Sequence, residues 1–152
     1  MRYVNNIKIS VYVKVDEELV EKIKQKIINF IPFNLEEEKI ELKEENVQSF
    51  NEKIIKIFTI ELVKEKHTNY FLEFLNSKLT KEQKMLLLSQ KESRLDEEQF
   101  FFIRLDKTEL VENDRFFITD SGNCVHIRMS IASFPRKRKV ALQAIAKLLR
   151  FI

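Results

Sequence analysis

The stretch IKISVYVKV at residues 7–15 decides the fold class, because apolar and polar side chains alternate along most of its length. Successive side chains of a strand point to opposite faces, so this pattern predicts a strand with one buried face. Asp16 follows at once and is a good helix cap. Four apolar residues then recur at helical spacing: Leu19, Ile23, Ile27 and Phe30. The opening of the chain therefore predicts a strand followed by a helix that packs on it.

The rest of the chain continues this mixture. Strands are predicted at residues 39–45, 53–63 and 100–106, and a hairpin at 115–119 and 124–132. Helices are predicted around 70–75, after the capping box that starts at Thr80, and from near Pro135 to the C-terminus. We expect an α+β fold in one domain spanning residues 1–152. Its architecture would be a two-layer α/β sandwich, an antiparallel or mixed sheet with helices mainly on one face.

Composition excludes several classes of protein. The chain has a single glycine, Gly122, where average usage would give about ten. Phosphate-cradling loops need several glycines, so a P-loop and a dinucleotide-binding fingerprint are both excluded, and we expect no cofactor. Cys124 is the only cysteine, which fits a reducing cytoplasm. No apolar run approaches the roughly 20 residues of a membrane span, and we expect a cytoplasmic protein without a membrane anchor.

Catalytic and metal-binding interpretations find little support. The only histidines are His67 and His126, and together with Cys124 they provide too few ligands for a structural zinc site. A Cys124–His126 nucleophile pair on one strand is conceivable, but a lone cysteine is usually inert. The carboxylates show no paired pattern. We therefore expect neither a metal site nor enzymatic activity.

Charge is distributed unevenly along the chain. Residues 121–152 contain seven basic and no acidic residues, whereas residues 36–52 contain seven glutamates against two lysines. Segregation of this kind is typical of a face that binds a polyanion. The densest basic run is Arg136, Lys137, Arg138 and Lys139, placed in the predicted first turn of the last helix, with Lys147 and Arg150 further along its outer side.

Cations at a helix N-terminus oppose the helix dipole and one another, so folding alone would favour Asp or Glu there. A phosphate at that position would meet helix N–H groups and basic side chains together. The sequence therefore predicts an anion site at the start of the last helix. The alternative is an ordinary solvated helix end on a lysine-rich protein.

The strands predict a second candidate surface. If the branched apolar residues of 124–132 and 7–15 face the core, Arg128, Tyr12 and Lys14 face away from it, and Arg104 shares that direction with Phe102. A sheet face with aromatic and basic side chains can stack bases and neutralise phosphates. The alternative is that helices cover this face and the aromatic residues belong to the core.

Four segments carry a family resemblance: residues 101–107 (FFIRLDK), 117–120, 125–128 (VHIR) and 132–135 (ASFP). Together they resemble an archaeal RNA-binding protein family described as predicted exosome subunits, most clearly over residues 94–150. The resemblance implies a ribosomal-protein-L5-like fold, or in other descriptions a double-stranded-RNA-binding-domain-like one. It places Arg104, Asp106 and Lys107 at hallmark positions. The chain departs from the family at residues 45–51, which lack the usual glycine motif, and at Thr108, where glutamine is usual.

The function predicted from these observations is non-catalytic RNA binding in archaeal RNA processing, degradation or ribosome-related work. RNA would be recognised by shape and backbone rather than by base sequence. A set of basic and aromatic side chains is expected to form the site: Arg136, Lys137, Arg138, Lys139, Lys147, Arg150, Arg128, Arg104, Lys107, Tyr12 and Lys14. The alternative function is a protein-interaction module whose basic face docks an acidic partner. The acidic residues 36–52 could then join copies of the chain into a homodimer.

Overall fold

Ten elements follow one another in the computed structural model, which describes residues 2–151 and, for Arg150 and Phe151, the backbone only. The strands are β1 (Val4–Lys14), β2 (Leu42–Gln48), β3 (Ile54–Leu62), β4 (Phe100–Asp106) and β5 (Cys124–Ile131). The helices are α1 (Val20–Phe30), α2 (Glu65–Lys78), α3 (Lys81–Ser89), α4 (Lys107–Asn113) and α5 (Arg138–Phe151).

The strands form one antiparallel sheet in the order β2-β3-β1-β5-β4. At its β2 edge, Leu42 pairs with Ile60 and Gln48 with Ile54 across a hairpin. The predicted α+β class with an antiparallel sheet is confirmed.

The chain divides into two compact units by its internal contacts. The first unit comprises the residues up to Ile7, Leu62–Ile103 and the residues from Arg128 onward. Its core is built by fully buried side chains from α2, α3, α5 and the neighbouring strands: Phe71, Leu75, Leu87, Phe101, Met129 and Ile145. Helices α3 and α5 pack against each other there.

The second unit comprises Lys8–Glu61 and Arg104–Ile127. Alternate residues of its strands are fully buried: Ile9, Val11, Val13, Phe58, Ile60, Leu105, Val125 and Ile127. Ile23 and Ile27 supply the buried stripe of α1, which packs on α4.

Local signals located several elements well. Strand β4 has the predicted bounds, and α3 begins with the predicted capping box. In that box Thr80 Oγ1 accepts from Gln83 N at 3.2 Å and Gln83 Oε1 accepts from Thr80 N at 2.8 Å. Reciprocal bonds of this kind satisfy two of the N–H groups that a helix start leaves unpaired.

The predicted hairpin of residues 115–119 with β5 is wrong. Thr119 N donates to Arg104 O at 2.9 Å and Asp106 N donates to Phe117 O at 2.7 Å, so this segment pairs with the end of β4 instead. Helix α4 occupies residues that were predicted to connect two strands. The Asp106 side chain caps α4 by accepting from Glu109 N at 2.8 Å.

Three helix and strand starts also differ from the predictions. Helix α1 has Leu19 at its N-cap rather than Asp16, because Glu18 accepts from Lys14 N and closes the preceding turn. Strand β2 begins at Leu42 rather than residue 39, after a turn in which Lys39 has a positive φ of 57°. Helix α5 begins at Arg138. Its first backbone bond runs from Ala141 N to Lys137 O, so Arg136 and Lys137 lie before the helix rather than in its first turn.

Candidate nucleic-acid interface

One face of the sheet is partly accessible in the second unit. On this face of β1, Ser10 is buried and Lys8 is half-buried, whereas Tyr12 is 58% exposed and Lys14 is exposed. Cys124 and His126 of β5 are half-buried, and Arg104 of β4 is exposed. These residues share one face because they alternate with buried ones. Of the residues predicted on this face in the second unit, Tyr12, Lys14 and Arg104 are exposed.

The predicted cations of this unit differ in availability. Arg104 Nη1 lies 3.4 Å from Asp120 O, a long contact that leaves most of its donors accessible. Lys14 Nζ lies 3.7 Å from Glu17 Oε2, so a carboxylate offsets part of its charge.

Lys107 is not part of the accessible surface, contrary to the role predicted for it. Its Nζ donates to Tyr12 O at 2.7 Å and forms an ion pair with Glu18 Oε2 at 2.8 Å. The residue is 6% exposed. An ammonium in such a position must be paired, since burying an unpaired charge is costly. The contacts identify Lys107 as a structural link between α4, β1 and the start of α1.

In the first unit, Arg128 of β5 packs against the aromatic ring of Phe100 in β4. Arg128 Cζ lies 4.3 Å from the centroid of the Phe100 ring, within cation–π range. Arg128 Nε is buried and makes no hydrogen bond to the described residues. A guanidinium plane held against a ring is one of the surfaces on which RNA bases stack.

Two of the four basic residues at the start of α5 are tied to backbone carbonyls. Arg136 Nη2 donates to Glu98 O at 2.9 Å. Arg138 Nη2 donates to Glu92 O at 2.6 Å and its Nη1 to Leu95 O at 3.0 Å. A guanidinium has five N–H donors, so Arg136 keeps most of its donors and Arg138 keeps fewer. Both charges remain, but both side chains also hold the 92–98 loop against the start of α5.

The lysines of this helix are available. Lys137, Lys139 and Lys147 are exposed, and none of the three ammonium groups forms an ion pair or hydrogen bond with another described residue. Lys139, Gln143 and Lys147 follow at four-residue spacing and so share one side of α5. The Arg150 side chain lies outside the described residues. The structure thus groups Lys137, Lys139 and Arg136 at the helix start and places Lys147 two turns beyond.

Sequence reasoning did not select Phe134 as a site residue. Its side chain is 97% exposed, directly before Pro135 and the basic run. The sequence signal was an aromatic residue between a polar Ser133 and a proline, outside any apolar periodicity.

Other chemistries are not assembled in the described part of the chain. No group of three or more His, Cys, Asp and Glu side chains is arranged there to hold a metal ion. No helix among the described residues is both long enough and apolar enough to cross a bilayer. Burial raises the pKa of the Cys124 thiol, which the nearby charges of Arg104 and Lys107 only partly oppose. A thiol in this state is a poor nucleophile at neutral pH.

Comparison with known proteins gives consistent results. A family model described as RNA binding matches residues 6–131. The RNA-binding protein PAB1135 of Pyrococcus abyssi is 23% identical over 141 residues, which cover 93% of this chain and 90% of that protein.

Two solved structures share the fold. A DUF54 protein from Archaeoglobus fulgidus superposes with a TM-score of 0.83 at 23% identity, covering 95% of this chain and 99% of that one. A DUF54 protein from Methanothermobacter thermautotrophicus superposes with a TM-score of 0.76 at 23% identity, covering 97% of this chain and 98% of that one.

Proposed function

The chain belongs to the family described as RNA binding, and we propose that it binds RNA through the phosphate backbone at the start of α5. The observation that carries this proposal is the set of unpaired, exposed ammonium groups of Lys137 and Lys139 beside the Arg136 guanidinium. We call these three residues the α5 entry cluster. No acidic residue lies in the first turn of α5. Asp96 and Glu97 line a surface pocket with Arg136, so the two lysines provide most of the available positive charge.

Phosphate binding at this cluster follows from elementary electrostatics. The first N–H groups of a helix lack intrahelical partners and carry a partial positive charge. A phosphate there would accept hydrogen bonds from those groups and from the lysine and arginine side chains, releasing condensed counterions. Such contacts fix the position of RNA without reading its sequence. Lys147 and Arg150 would extend the contact along α5.

Each of the two units provides further candidate contacts. Arg128 on the Phe100 ring, in the first unit, and Arg104, Tyr12 and Lys14, in the second, carry charge or stacking surface. Arg138 contributes mainly its charge, because carbonyls occupy several of its donors. Lys107 is left out of this interface.

The cellular role we propose is that of a non-catalytic, cytoplasmic accessory factor in archaeal RNA processing or degradation, exosome-associated or ribosome-related, acting as a single RNA-binding domain. The family resemblance of residues 94–150, which also suggests the ribosomal-protein-L5-like fold, supports this role. The name of the Pyrococcus abyssi relative supports RNA binding in particular.

The test is RNA binding across a salt series. We would titrate a labelled structured RNA with the wild-type protein and with the K137A/K139A double variant at several salt concentrations. Each lost phosphate contact should flatten the slope of log affinity against log salt by about 0.7 to 0.9, so the double variant should lose about 1.5 units. The control is K43A/K81A, which removes two exposed lysines elsewhere and lowers the net charge equally.

Three outcomes are distinguishable. A flatter slope in K137A/K139A with an unchanged slope in K43A/K81A supports the α5 entry cluster. Equal slopes in all three proteins would show that RNA contacts the protein outside the α5 entry cluster. If the wild type binds no RNA even at low salt, the proposal fails, and an acidic protein partner for the same cluster becomes the function to test.

A further inference from the structure

Phe134 is a large apolar side chain held in water. It is 97% exposed, and its ring makes no stacking contact with the other described side chains. Leaving a phenylalanine exposed forgoes the stabilisation that burial would give it. A single exposed apolar residue is common on protein surfaces and does not by itself indicate a binding site. For Phe134 the indication comes from the anchored backbone around it and from the neighbouring cations.

The backbone on both sides of Phe134 is anchored. Before it, Ala132 N donates to Tyr3 O at 2.9 Å and Ser133 Oγ donates to Gln99 Oε1 at 2.7 Å. After it, Lys137 N donates to Pro135 O at 2.8 Å and the Arg136 side chain binds Glu98 O. A ring presented from an anchored segment loses little conformational freedom when a ligand covers it.

The sequence around the ring is basic. Within five residues of Phe134 along the chain there are four basic residues and no acidic one, and two of the four, Lys137 and Lys139, are exposed and unpaired. Asp96 and Glu97 line a surface pocket together with Arg136 and Arg138, so the two lysines are the cations that remain available to a ligand. An aromatic face beside unpaired cations combines the two features by which proteins hold unpaired nucleotides: stacking on the base and attraction to the phosphate. The second fully exposed phenylalanine, Phe50, lies in the tip of the hairpin between β2 and β3. Within five residues of it along the chain there are two acidic residues, Glu45 and Glu52, and one basic residue, Lys53, so it lacks the excess of cations found beside Phe134.

We propose that Phe134 is a base-stacking platform and that the RNA ligand presents at least one unpaired nucleotide to it, as a single strand, loop or bulge does. Bases inside a duplex are covered by their neighbours on both faces and cannot receive the ring. This inference rests on the proposed RNA binding and narrows its ligand class.

The chain allows a direct measurement of stacking because it contains no tryptophan. F134W places a single indole at the platform, and F50W places one at the matched acidic control position. We would titrate both with a 12-nucleotide oligoadenylate, with an abasic oligonucleotide of equal length and with a 12-base-pair RNA duplex. Fluorescence quenching of F134W by oligoadenylate, with none by the abasic strand and none in F50W, is the expected result.

Affinity gives the second readout. F134A should bind oligoadenylate about 5- to 150-fold more weakly than wild type, the range expected for losing one stacked base. Its affinity for the duplex should change less than about twofold, while F134Y and F134W should retain single-strand binding. F50A should match wild type throughout. Because Phe134 is exposed, F134A should unfold at the wild-type temperature.

Other results overturn the inference. If F134A binds oligoadenylate as wild type does, while K137A/K139A still loses its salt slope, Phe134 is no platform but RNA binding stands. If F134W responds to vesicles of phosphatidylserine and phosphatidylcholine but not to oligoadenylate, the ring is a membrane anchor instead. If wild type binds none of the RNAs, the proposed function itself falls.

Discussion

Replacing Lys107 with methionine tests whether Lys107 stabilises the fold or binds RNA. The substitution keeps the apolar stem but removes the ammonium that binds Tyr12 O and Glu18. A hydrogen bond to a charged group contributes about 1.5 to 3 kcal/mol. Breaking a fully buried ion pair costs about 3 to 5 kcal/mol, but the Glu18 side chain is 22% exposed and still accepts from Lys14 N, so water and the backbone compensate in part. We expect K107M to destabilise the protein by about 2 kcal/mol.

Urea unfolding followed by circular dichroism measures this loss. With a slope of about 2 kcal/mol per molar urea, the midpoint should fall by about 1 M with no change in slope. The control is K22M, which removes an exposed lysine that lies 3.0 Å from Glu112. Exposed pairs contribute about 0 to 1 kcal/mol, so K22M should shift the midpoint little.

RNA binding provides the opposing readout. Below its unfolding transition, K107M should bind RNA with the wild-type salt dependence, because its ammonium is not at the surface. A midpoint shift below about 0.2 M together with a salt slope reduced by about one unit would refute this reasoning and return Lys107 to the RNA site.

Two further predictions concern titratable groups. The hydrogen bond from Lys24 at 2.6 Å, together with the nearby charges of Lys24 and Lys56, holds the pKa of Glu44 below its ordinary value despite some desolvation. The stabilisation this gives is present above the unfolded pKa and disappears as pH falls through the lowered folded pKa. The urea midpoints of wild type and K24M should therefore differ at pH 7 and converge as the pH falls below the ordinary range of a glutamate. A gap that does not narrow in acid would contradict this. Burial raises the pKa of the Cys124 thiol, so it should react with a disulfide reagent more slowly than glutathione at pH 7 and accelerate as pH rises. Reaction as fast as glutathione at pH 7 would show an exposed, activated thiol.

The parts of the fold that the sequence predicts are those with local causes. Strand β1 follows from side-chain alternation, and α3 follows from two side chains that cap its own backbone. The predicted bounds of β2 lie three residues too early. This strand is an exposed polar edge strand and lacks the alternation that marks a buried face. Helix α4 did have a local signal, since Asp106 and Glu109 stand at capping spacing, but its seven residues are too few to show a helical stripe.

The same distinction explains which site residues could be predicted. The basic run at residues 136–139 is visible in the sequence because charge is a property of each residue alone. Whether a cation is available depends on residues far along the chain: carbonyls of the 92–98 loop bind Arg136 and Arg138, and Glu18 binds Lys107. Long-range pairing of this kind has no counterpart in local periodicity or composition.

The exposure of Phe134 also depends on contacts with residues far along the chain. In the sequence, a phenylalanine beside a proline is compatible with the core of a chain that contains thirteen phenylalanines. In the structure the ring is exposed, and long-range hydrogen bonds from Ala132 to Tyr3 and from Arg136 to Glu98 hold the backbone on both sides of it. The arginines that lose donors to carbonyls thereby help to position the aromatic ring and the free lysines. R136A in the F134W background should therefore lower both the affinity for oligoadenylate and the fluorescence quenching at saturation. K137A/K139A should lower the affinity but leave the quenching at saturation unchanged.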